Sequence, residues 1–82
     1  MGADEAAQRR AFRRVGSMLM ATDPAHAFSG RLCAERYRID RLGLSAGEAL
    51  DALLAFADEH GHGDQARRVA ARELVASPRG RA

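Results

Sequence analysis

An all-α fold, a small bundle of three to four helices, follows from how the apolar residues of this chain are spaced. They recur at helical intervals through three stretches, and alanine, the strongest helix former, is the most frequent residue. The stretch 45–60, SAGEALDALLAFADEH, is apolar around most of a helix. Leu50, Leu53, Leu54 and Ala57 form one stripe, widened by Ala49, Ala52 and Phe56. Glu48, Asp51, Asp58 and Glu59 leave only a narrow wet edge. A helix this apolar must be covered on several sides, by the rest of the chain or by a partner.

The first helix is predicted over 4–20. Ala7, Ala11, Phe12, Val15, Met18 and Leu19 share one face, and Arg9, Arg10, Arg13 and Arg14 fall on the other. Asp4 and Glu5 suit the positive end of the helix dipole, and Glu5 pairs with Arg9 one turn on. Thr22-Asp23-Pro24 reads as a stop and a restart, because proline fits only the first turn of a helix. Residues 24–42 are expected to form a short helical turn, a soft spot at Ser29-Gly30, and a second helical piece using Phe28, Leu32 and Ile39. A strand over 35–41 is the alternative, with Tyr37 and Ile39 facing inward and Arg36, Arg38 and Asp40 outward at period two.

The third helix, 46–60, is bounded by Gly43 before it and Gly61 after it. Ser45 and Glu48 make the S-x-x-E pattern, in which each side chain satisfies a free backbone N–H. The last helix is expected from Asp64, as its cap, to about Ala76, with Ala66, Val69, Ala70 and Leu74 on its inner face. Arg67, Arg68 and Arg72 point away, and Pro78 stops it. Short connections imply up-down packing. One helical domain is therefore expected over 1–78, with a flexible tail over 79–82.

Eighty-two residues bury a thin core, and an oligomer would help it. All thirteen basic residues are arginine. The composition reads first as that of a high-GC coding sequence. Residues 1–42 hold eight arginines against five acids, and 43–78 hold three against six. A molecule with such a dipole suits head-to-tail packing or an acidic partner surface. The single cysteine, Cys33, excludes an internal disulfide and fits a reducing compartment. The start MGADEAAQRR lacks the apolar core of a secretion signal, and no run is long enough to span a membrane. A cytoplasmic, non-membrane protein is expected.

No sequence signature for a nucleophile, a phosphate loop or a dinucleotide site occurs. His60-Gly61-His62 with Asp58, Glu59 and Asp64 gathers metal-capable side chains, but a glycine-rich turn is a poor rigid cage and reads as a solvated connection. Cys33 has no base placed beside it by sequence and reads as a small buried apolar residue. No catalytic, cofactor or metal residue is assigned, and the chain is not expected to be an enzyme.

The expected function is a non-enzymatic protein–protein interaction module, an accessory subunit, adaptor or inhibitor, acting on another protein or as a homodimer. Its apolar contact residues are Met18, Met20, Phe28, Leu50 and Leu54, since adaptable methionines near a kink suit a partner groove. The alternative is a DNA-binding regulator using Arg36, Arg38 and Arg41. With 35–41 as a strand, residues 35–76 resemble the element order of a ribbon-helix-helix DNA-binding domain. That resemblance implies a dimer whose ribbon carries Arg36, Arg38 and Asp40 to base edges, with the start of the last helix, near Gly63 and Asp64, on phosphate. Asp40 and the arginine-free helix 46–60 depart from that pattern.

Overall fold

A computed structural model of the chain describes residues 5–22 and 28–75, and these form four helices with no strand among them. Helix α1 spans Glu5–Ala21, α2 Ser29–Leu42, α3 Ala46–Glu59 and α4 Gly63–Val75. The predicted bundle is what the chain forms. The residues at 1–4, 23–27 and 76–82 lie outside the described part, and with them the Asp23-Pro24 restart, the Pro78 stop and the tail.

Helix α1 buries Ala7, Ala11, Val15, Gly16 and Leu19, a stripe with a repeat of about four residues. It packs chiefly against α4 and α3. Helix α4 meets it with Ala66 and Ala70, also buried. Small side chains on both helices allow close backbone approach. Helix α3 packs against all three others and buries Ala46, Leu50, Leu53, Phe56 and Ala57. The covering that so apolar a helix needs is thus supplied by this chain itself. Leu19, Leu32, Leu53 and Val15 are the largest fully buried side chains.

The local signals at the ends of α3 act as read. The Ser45 hydroxyl accepts from the Glu48 N–H at 3.2 Å, and the Ser45 N–H donates to the Glu48 carboxylate at 3.1 Å. At the far end Gly61 turns left-handed, with φ +80°. Its N–H donates to Asp58 O at 3.1 Å, and the His62 N–H donates to Ala57 O at 2.8 Å. That is the paired bonding of a Schellman stop, which needs a residue free of a Cβ penalty at the turn. Helix α4 starts at Gly63, ahead of the expected cap, so Asp64 sits in its first turn rather than capping it.

Helix α2 settles the alternative left open at 35–41. Residues 35–41 are helical, so the strand and the ribbon-helix-helix arrangement are overturned. The reason is burial at helical spacing. Leu32 and Ile39, two turns apart, are buried, whereas Tyr37, which the strand would turn inward, is 62% exposed. Ser29 and Gly30, read as a soft spot ahead of the second helical piece, form the first turn of α2, and the short helical turn expected before them falls on 24–27, outside the described residues. The helix ends at Gly43, which turns left-handed (φ +64°) and donates its N–H to Asp40 O. Helix α2 buries only Leu32 and Ile39 and packs mainly on α3, so it lies as an added layer beside α1, α3 and α4.

Candidate interaction surface

The addition of α2 leaves a cleft of about 300 Å³ between α1, the C-terminal half of α2 and the start of α3. Phe12, Ile39, Leu44, Ala46 and Ala49 give it an apolar lining, and Arg9, Arg13, Arg36 and Asp40 also line it. Phe12 comes from the half-buried edge of α1, Ile39 from the buried stripe of α2, and Leu44 from the connection to α3. Arg36 crosses the cleft toward α1. Its guanidinium carbon lies 5.7 Å from the centre of the Phe12 ring, a cation–π contact. Its Nη1 also lies 3.4 Å from where a Cβ on Gly16 would be, so Gly16 leaves α1 smooth where the arginine rests.

The arginines of α1 are not equivalent. Arg9 pairs with Glu5 at 2.7 Å. Arg10 and Arg14 bracket Glu73 of α4 at 3.7 and 3.3 Å. Arg13, beside the cleft, forms no ion pair among the described residues, and neither do Arg36 and Asp40. The cleft therefore holds two uncommitted cations and one uncommitted anion around an apolar floor.

The DNA-contact set is split by the helix. Residues 36 and 38, which share a face in a strand, stand about 200° apart on a helix. Arg36 turns to α1, while Arg38 bonds Glu35 and holds that carboxyl below its ordinary value. The hydrogen bond from Arg38 is the main cause, and the added charge attraction is smaller. Arg41 donates to the Tyr37 hydroxyl at 2.9 Å and covers its ring.

The apolar contact set is likewise dispersed. Leu50 is in the core, 5% exposed. Met18, Phe28 and Leu54 are partly buried against that core. Met18 also lines a shallow cleft with Arg14, Ser17, Val69, Arg72 and Glu73, which none of the other four reaches. Met20 is the most open of the set, 40% exposed. Phe28 sits against Phe56, His60 and His62, with ring centres 6.1, 5.1 and 5.7 Å away. The histidines read as a solvated turn thus join Phe28 and Phe56 in a partly buried aromatic cluster. Among the described residues, no three His, Cys, Asp or Glu side chains gather closely enough to hold a metal. Cys33, expected to be buried, is exposed on α2.

The cleft was not legible from the sequence, because it depends on which side of α2 faces α1. Gly16 was the available signal: a glycine on the buried stripe of α1, one turn after Phe12. No described helix is long and apolar enough to cross a membrane. No protein-family model, curated protein or solved structure matches this chain.

Proposed function

We propose that this chain is a small non-enzymatic protein–protein interaction module that receives its partner at the cleft between α1 and α2. The observation that carries this reading is an apolar floor bordered by arginines that have no ion-pair partner among the described residues. Such a combination suits an amphipathic protein surface better than a reacting substrate, since no nucleophile–base pair lines it. The core position of Leu50 shifts the reading from the α3 face to the cleft. The dispersal of the α1 arginines into pairs with Glu5 and Glu73 weighs against a phosphate-binding stripe. A cytoplasmic setting goes with this reading, since a single cysteine forms no internal disulfide.

Affinity capture with the intact chain and with Leu44→Asp, each checked for helicity by circular dichroism, tests the proposal. The expected result is one protein retained at fixed stoichiometry, or a doubled mass in solution, lost in the variant. Retention indifferent to Leu44→Asp would overturn the reading. So would duplex-DNA binding that falls steeply with salt and with Arg36→Ala and Arg38→Ala.

A further inference from the structure

The chemistry of the cleft narrows the partner. Resting on the interaction-module reading, we propose that it takes an acidic amphipathic segment of another protein, with carboxylates on Arg13 and Arg36 and apolar side chains on Leu44, Ala49 and the half-buried Phe12. Arg13 and Arg36 lack intramolecular counter-ions among the described residues, so an incoming carboxylate does not have to displace one. The guanidinium of Arg36 is already laid against Phe12 and α1, so little side-chain freedom is lost when an anion arrives.

The floor argues for protein over nucleic acid. A phosphate backbone has nothing to place on Leu44 and Ala49. The one ring in the cleft, Phe12, has Arg36 over it, so it does not offer an open face for a stacking base. A second copy of this chain is the weaker occupant. On its acidic edge along α3, Glu48 is engaged by Ser45 and Asp58 by Arg67, which leaves only Asp51 and Glu59 with neither a side-chain hydrogen bond nor an ion pair among the described residues. Asp40, on the wall of the cleft, opposes a carboxylate at that end and so orients the segment.

The test uses the full chain and synthetic sixteen-residue amphipathic peptides. All carry leucine at one helical spacing, with the polar positions filled by glutamate in one set and lysine in the other. Binding is read by fluorescence anisotropy and located by amide NMR shifts. The glutamate set should bind at residues 9–16 and 36–49, with affinity that falls as salt rises. Arg13→Glu should weaken it about tenfold and favour the lysine set. Arg13 is the safer variant because it is exposed and makes no ion pair among the described residues; Arg36→Gln, checked for helicity, gives the second measurement. No binding by any peptide, equal binding of both sets, or shifts located elsewhere would overturn the acidic-segment proposal. Duplex DNA competing at the same residues, or self-association through them, would do the same. If the capture experiment succeeds while the peptides fail, the module reading stands and only this assignment falls.

Discussion

One methyl group at Gly63 would run into the Asp58 carboxylate and come within 3.1 Å of its Cα. The first contact can be relieved by turning a side chain, but the second involves backbone and cannot. Gly63→Ala should therefore destabilise the fold by about 1–3 kcal/mol, as overpacking generally does. Chemical denaturation reads the effect directly. Adding Asp58→Ala to the same chain should recover only part of it, leaving the backbone share as a non-additive remainder. The Asp58 carboxylate also accepts from Arg67, which reaches across the turn at 3.1 Å, and this bond, with a second to Asp64, raises the arginine's already high affinity for its proton. Both groups are about half exposed, so this bond shapes the turn more than it stabilises it.

Among the elements, α2 is held most lightly. Two buried residues, Leu32 and Ile39, dock it, and the remainder of its surface is mostly exposed. Leu32→Ala should cost about 2–4 kcal/mol, within the range for emptying a buried leucine site. Much of that loss should appear as local opening. Hydrogen exchange should speed up in 29–42 well before it does in α1 and α3, and uniform loss across the four helices would contradict this account. A second expectation concerns acid. Bonding to Arg38 keeps the Glu35 carboxyl ionised to lower pH than in the unfolded chain. A depressed carboxylate value favours the folded state above the ordinary value of 4.5, and that contribution fades as pH falls through the folded value. Arg38 is 55% exposed and Glu35 21%, so solvent screens the pair and the effect on stability is small. NMR titration of Glu35 should show its midpoint rise toward the ordinary value in Arg38→Ala.

For the whole molecule, the bundle was legible because its signals are local. Ser45 with Glu48, the left-handed Gly43 and Gly61, and the apolar stripes of α1 and α3 each act within a turn or two of themselves. The identity of residues 35–41 was less legible, since ERYRIDR carries both periods and only the burial of Leu32 and Ile39 decides between them. The candidate surface was less legible still. Arg13 and Arg36 are 23 positions apart, and the packing of α2 beside α1 creates their relationship. The contact between α1 and α4 has a different kind of consequence. Ala7, Ala11, Ala66 and Ala70 are buried on facing elements, and anything larger at one of them would wedge the pair apart. If those four codons were randomised together and folded clones selected, the survivors should carry alanine, glycine or serine almost without exception. Descendants of this gene would then drift freely along their outer residues while that column of small letters stayed still.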